Sequence, residues 1–206
     1  MQDARMLSKI SVPLLPPTML HRDSLVSKLH EIIGPASPSV ERRTTRYKLV
    51  LLCAPAGYGK TTALVDYANS TQLPCCWYFL EQVDSDRVSF LTSLLASIRL
   101  RFPQFGVDLD KLLEGAISAN SIHTSDNWEY FEPILDALVA TINKEITERF
   151  VLLLCHYHEI NASDSVNRLV NRFLQKLPPH CVLIIESRSL PFLEIASLLA
   201  HREMIG

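Results

Sequence analysis

Residues 48–65 read Lys48-Leu49-Val50-Leu51-Leu52-Cys53-Ala54-Pro55-Ala56-Gly57-Tyr58-Gly59-Lys60-Thr61-Thr62-Ala63-Leu64-Val65. An apolar run of strand length, a loop with two glycines and a lysine, and the start of a helical pattern follow one another without a break. That order is what a phosphate-binding loop requires. The strict pattern G-x-x-x-x-G-K-[ST] wants glycine at position 54, where this chain has Ala54, so the match is to a relaxed form with a small first residue. Gly57 and Gly59 allow the unusual backbone angles and close approach by which successive N–H groups surround a phosphate. Lys60 supplies a cation, the Thr61 hydroxyl is placed to ligate Mg²⁺, and the N-terminus of the following helix adds partial positive charge. The candidate nucleotide-binding residues of this loop are Pro55, Ala56, Gly57, Tyr58, Gly59, Lys60, Thr61 and Thr62. The plainer alternative is a glycine-rich turn ending in an exposed lysine; the agreement of strand, loop and helix speaks against it.

Working outward, residues 75–80, 150–155 and 181–186 form further continuously apolar runs bounded by breakers, like 48–53. Such runs suit strands buried on both faces. Helical stripes separate them at 61–69, 88–100, 131–146 and 166–177. Alternating strands and helices predict an α/β, three-layer P-loop fold with a mostly parallel sheet. A helix over 24–33, with Asp23 or Ser24 as N-cap, precedes the first strand. Gly34, Pro35, Pro38 and Ser39 then form a linker, and Arg42, Arg43, Arg46 and Lys48 read as its solvated charges. Residues 102–127 are irregular around a short helix at 109–113. Residues 1–47 therefore lead into a nucleotide-binding core over 48–206, and the whole is expected to be one domain.

The totals agree. The 206 residues carry 20 Lys plus Arg against 22 Asp plus Glu, a formal charge of −2, and 48% are hydrophobic. This excludes a disordered chain and a dedicated basic DNA-binding module. No apolar run approaches the roughly 18 residues of a membrane span, and Pro13, Pro16 and Pro17 break the N-terminal apolar stretch before it can serve as a signal sequence. Five cysteines, of which Cys53, Cys76, Cys155 and Cys181 fall in apolar runs, read as small buried hydrophobes in a reducing, cytoplasmic compartment. Two glycosylation-like triplets at Asn69 and Asn161 are then chance matches.

With these residues in place the chain resembles the ATPase domain of MalT-like, large LuxR-type transcriptional regulators of the STAND class. The resemblance covers nearly the whole chain. It runs from Pro16-Pro17 and His21-Arg22 through the 54–62 loop, Trp77-Tyr78-Phe79-Leu80, Asp84-Ser85-Asp86 and Phe90, to Tyr157-His158-Glu159-Ile160 and Ser187-Arg188-Ser189-Leu190-Pro191. It implies a fourth strand lying between the P-loop strand and the third, and a fifth flanking the P-loop strand. That fifth strand would begin near Met204, where the sequence stops, so the sheet is expected to lack it and the chain to be a fragment. The remainder would carry a winged-helix segment, an inducer sensor and a helix-turn-helix DNA binder; this fragment would bind no DNA itself and would self-associate through the ATPase domain. The resemblance further implies ATP or ADP with Mg²⁺ as cofactors, Arg188 as a reader of the terminal phosphate and Arg22 as a neighbour of the adenine.

One departure stands out. The resembling family ends its third strand in two aspartates, and this chain has Cys155-His156. A thiol with an ordinary pKa near 8.5 is a soft, mostly neutral group and a poor substitute for the metal-holding acid. His156, with a pKa of about 6.5, can accept a proton but carries no negative charge. Loss of a positioned base typically costs about 10²–10⁴ in rate, so hydrolysis is expected to be weak or lost. Two alternatives stay open: an active ATPase completed by His156 or a partner residue, and a nucleotide-independent interaction scaffold. Zinc on Cys155, His156 and His158 is disfavoured, because strand alternation would put the two histidines together and turn the thiol away.

Overall fold

A computed structural model describes residues 2–16, 18–34, 47–120 and 128–206. Five strands, β1 (Leu49–Cys53), β2 (Cys75–Phe79), β3 (Phe150–Cys155), β4 (Cys181–Ser187) and β5 (Met204–Ile205), form one sheet in the order β2-β3-β4-β1-β5. Every pairing is parallel, as strands joined by helical crossovers must be. The fourth strand does lie between the P-loop strand and the third, with Leu51 opposite Ile185 and Ile185 opposite Leu154.

The continuous apolar runs are explained by burial on two faces. Val50, Leu52, Val151, Leu153, Val182 and Ile184 point toward Leu29 and Ile33 of α2 (Asp23–Ile33) and Leu64, Val65 and Tyr67 of α3 (Lys60–Ser70). The alternate residues, among them Leu49, Leu51, Leu152, Leu154, Leu183 and Ile185, face a larger cluster. Its helices are α4 (Arg87–Arg101), α5 (Leu109–Asn120), α6 (Trp128–Glu145) and α7 (Asp164–Lys176). Burying one such aliphatic side chain contributes about 1.5–3 kcal/mol, and a polar residue on either face would forfeit it. The result is an α/β three-layer architecture with β1 beside the centre of the sheet.

Several expectations need correction. The fifth strand is present, as two residues whose register sets Leu49 against Met204 and Val50 against Ile205. Helix α2 is not capped by Asp23 or Ser24: Arg22 is its N-cap, and the Arg22 carbonyl accepts from the N–H groups of Leu25 and Val26. The short helix at 109–113 runs on to Asn120. A helix α1 (Gln2–Ile10) occupies the terminus that its polar sequence left unassigned, and α8 (Ile195–Ala200) precedes β5. The α1 contact is long-range: Lys9 Nζ donates to Asp84 Oδ1 at 2.6 Å, with Lys9 8% and Asp84 0% exposed. Lys48 is not simply solvated but pairs with Glu203 at 2.9 Å; Pro35, Pro38, Ser39, Arg42, Arg43 and Arg46 lie outside the described residues. Among the described residues no helix is long and apolar enough to cross a membrane.

Cys53 also differs from its sequence reading. It closes β1 where the chain leaves the sheet and is exposed, whereas Cys75, Cys76, Cys155 and Cys181 are buried. Burial pushes the Cys75 thiol up to about 11 and raises Cys155 and Cys181 well above the ordinary value. A thiolate-trapping reagent at neutral pH should therefore modify Cys53 rapidly and the other four only after a denaturant is added. Rapid modification of more than one thiol in the folded protein would contradict this packing.

Candidate phosphate-binding site

The loop between β1 and α3 has the backbone that its glycines allow. Gly57 and Gly59 have φ of 83° and 73°, in the left-handed region, and Gly59 is the N-cap of α3. A side chain at either position would be strained. Pro55, Ala56, Gly57 and Tyr58 are exposed, Gly59 and Thr61 are half-buried, and Thr62 is buried. The first-turn N–H groups of α3 have no acceptor within the helix, which is the feature by which a helix N-terminus receives an anion.

Lys60 is 8% exposed. Its ammonium donates to the carbonyls of Ala54 at 2.7 Å and Pro55 at 3.1 Å. It also forms an ion pair with Glu186 Oε1 at 3.2 Å. Glu186 lies one residue from the end of β4, opposite Leu52 of β1, and is 2% exposed. It continues the Val182, Ile184 face of the sheet, the side on which α3 packs. Its second oxygen, Oε2, accepts from the backbone N–H of His156 at 2.9 Å. One carboxylate thus joins the P-loop lysine, β4 and the end of β3. Removing one partner of such a buried pair typically costs about 3–5 kcal/mol, because the other charge is left uncompensated.

Glu186, the last residue of the 181–186 run, is not singled out by sequence analysis. The signal was available: an acid inside a continuously apolar strand must find a cation or donors if it is buried. What the sequence does not give is the register that sets it against Leu52 rather than a residue earlier or later.

At the end of β3, Cys155 is fully buried, and desolvation and then the charge of Glu186 hold its thiol well above the ordinary range. It is a neutral group, unsuited to a hard cation. His156 is not on the strand. It takes a left-handed conformation, φ 63° and ψ 37°, and caps a short 3₁₀ turn, Tyr157–Glu159. Its ring packs 5.0 Å from Phe79 and 5.6 Å from the ring of His158. The two histidines are therefore neighbours, but through the turn rather than through strand alternation. No group of three or more His, Cys, Asp or Glu side chains among the described residues is placed to hold a metal ion.

The flanking arginines are placed differently. The Arg22 side chain lies over the loop: a Cβ built on Gly59 would come 3.2 Å from Arg22 Nε. Next to it, His21 Nδ1 lies 3.0 Å from Asp66 Oδ2 on α3, which docks this segment against the P-loop helix. Arg188 is exposed at the end of β4, and its charge is felt at His158. The loop beyond it is held by Asn161, which donates to the Leu190 carbonyl at 3.0 Å and accepts from the Phe192 N–H at 2.7 Å. Asn161 is itself fixed, since its carbonyl accepts from Asn167, and Asn167 accepts from the Tyr157 hydroxyl at 2.8 Å.

Strand, left-handed glycine loop and lysine-led helix have the backbone arrangement of a P-loop on a parallel α/β sheet. Among curated proteins, the chain is similar to HTH-type transcriptional regulators called MalT. It is 30% identical over 201 residues to the protein of Yersinia enterocolitica serotype O:8 / biotype 1B. It is 29% identical over 201 residues to that of Yersinia pestis (strain Pestoides F). Each match covers 96% of this chain and 19% of the relative, so the chain spans about a fifth of the length of these regulators. No protein-family model matches it. Among solved structures, C. elegans PCH-2 aligns with 88% of this chain and 40% of its own, at a TM-score of 0.39 and 12% identity.

The site carries a pH dependence. Burial, then the charge of Arg188, lowers the His158 pKa below 6.5; Glu159 and Glu186 oppose this and His156 adds to it. The unfolded chain therefore protonates His158 first on acidification. Stability associated with neutral His158 is present above about 6.5 and is lost as pH falls through the lower folded value. Urea unfolding at neutral and mildly acidic pH should show wild type losing more stability on acidification than His158→Gln. An equal loss in the two proteins would refute this assignment.

Proposed function

We propose that the chain is a nucleotide-binding regulatory domain of a MalT-type transcriptional regulator, with residues 48–206 as its P-loop core. Residues 1–47 lead into it and lay Arg22 over the loop. The observation that carries this reading is the arrangement of Gly57, Gly59 and Lys60 between the end of β1 and the start of α3. ATP or ADP is the ligand. Its phosphates are received by the N–H groups of Ala56 to Thr62 and by the Lys60 ammonium, with Pro55 shaping the loop entry. Arg22 lies over Gly59, and Arg188 follows the strand that pairs with β1. The Thr61 hydroxyl is the side chain of this loop suited to Mg²⁺, which when bound neutralises phosphate charge. Cys155 does not fit that ion, for the reasons of burial and softness given above.

Such a domain acts through population rather than turnover. Ligand at about a hundred times its dissociation constant stabilises the bound form by roughly 2.7 kcal/mol. That is enough to bias the conformation of the sensor and DNA-binding regions expected in the rest of the regulator, and self-association through this domain, in the cytoplasm. Hydrolysis is slow in this reading, because neither the buried thiol of Cys155 nor the turn residue His156 supplies a carboxylate to the attacking water. An ATPase relying on His156 is the second reading; the packing of its ring against Phe79 is the observation that disfavours it.

Calorimetric titration of ADP gives the direct check. Lys60→Ala should weaken binding about ten- to a hundredfold, the equivalent of one charge-assisted hydrogen bond. Unchanged affinity would remove the P-loop from the account. Phosphate release from Mg-ATP should be slow in the wild type and unaltered by His156→Ala; a large fall in the variant would favour the second reading.

A further inference from the structure

The carboxylate at this site comes from an unexpected strand. Parallel pairing sets Leu154 of β3 against Ile185 of β4, so Cys155 and Glu186 follow one residue later as neighbours. The two side chains point to the same face of the sheet, toward α3: Cys155 with Val151 and Leu153, Glu186 with Val182 and Ile184. Their proximity is also felt electrostatically. An acid on β4 at this level therefore stands one strand, or about 4.8 Å, from where an acid at the end of β3 would stand. It lies on the side of the P-loop strand, nearer to Lys60.

Its contacts leave it capacity. An ionised carboxylate has about four lone-pair sites. Lys60 Nζ lies against Oε1 and the His156 N–H bonds to Oε2, one partner on each oxygen, so each oxygen retains a lone pair. The His156 N–H is available for this bond because the left-handed turn there ends the β3 ladder. A buried acid with Lys60 on one side and Thr61 at the next position along α3 has the oxygen chemistry that a hydrated, hard divalent cation selects.

Resting on the nucleotide-binding reading above, we propose that Glu186 is the metal-positioning carboxylate of this site. It accepts hydrogen bonds from the water shell of a Mg²⁺ ion carried by the nucleotide and held by Thr61, in the role that Cys155 and His156 cannot fill. Glu186 acts through water and through Lys60 and is a positioning residue. The same contacts restrain Lys60, so the acid also orients the cation that meets the phosphates.

The test is calorimetry with a non-hydrolysable ATP analogue, with Mg²⁺ and with EDTA. The wild type should bind about tenfold more tightly with Mg²⁺, the scale of one or two charge-assisted contacts. Glu186→Gln keeps the size of the side chain, and its amide oxygen can still accept from His156. Measured against its own affinity in EDTA, whatever the loss of the Lys60 ion pair does to that affinity, it should lose most of the gain from Mg²⁺. Returning a carboxylate to β3, in Glu186→Gln with Cys155→Asp, should restore part of that gain. A Glu186→Gln protein that keeps the full wild-type dependence on Mg²⁺ would overturn the proposal. Wild-type binding that is indifferent to Mg²⁺ would defeat this proposal alone, whereas a wild type that binds the analogue in neither medium would defeat the nucleotide reading beneath it.

Discussion

The ion pair between Lys60 and Glu186 holds the functional end of the sheet together. Each charge is almost entirely removed from water, and each would be costly without the other. The pair can form only because the crossover topology puts β4 directly beside β1. A sheet that kept chain order would place β2 there instead, and Glu186 would be a charge stranded in an apolar layer. The P-loop conformation, the seating of α3 and the turn at His156 meet at this point, so sequence-local features are coupled through one long-range contact.

Much of the architecture was legible because its causes are local. Continuous apolar runs marked the four main strands within a residue or so, since burial on both faces leaves no room for alternation. The glycines at 57 and 59 marked the loop, since few other residues tolerate its angles. What was not legible depended on partners far away in sequence. Helix α1 is anchored through Lys9 to an acid 75 residues distant, and nothing in its own segment marks that partner. Glu186 looked like the end of a strand because the register that places it opposite Leu52 is not written in either segment alone. Cys53 was misjudged for the opposite reason: it shares the composition of its strand but sits where the chain leaves the sheet.

The end of β3 separates two roles that are often combined. Cys155 is a packing residue whose thiol stays neutral, and His156 contributes a backbone N–H and a ring packed against Phe79 rather than a metal ligand. The 3₁₀ turn that follows is a structural hub, with Tyr157 and the asparagines at 161 and 167 fixing the loop that carries Arg188. The chemistry expected from two adjacent acids is thus divided between a buried apolar position and one carboxylate on the neighbouring strand. That division accords with the proposal of a domain that holds its nucleotide and turns it over slowly.

The most direct measurement of the central claim is the melting temperature of the chain as ADP is added. At ADP about a hundredfold above its dissociation constant, the roughly 2.7 kcal/mol of stabilisation corresponds to a rise of about 5–10 °C for a domain of this size. A progressive rise of that order, absent with adenosine, is the result predicted by phosphate capture at Lys60. A melting temperature indifferent to ADP would contradict it.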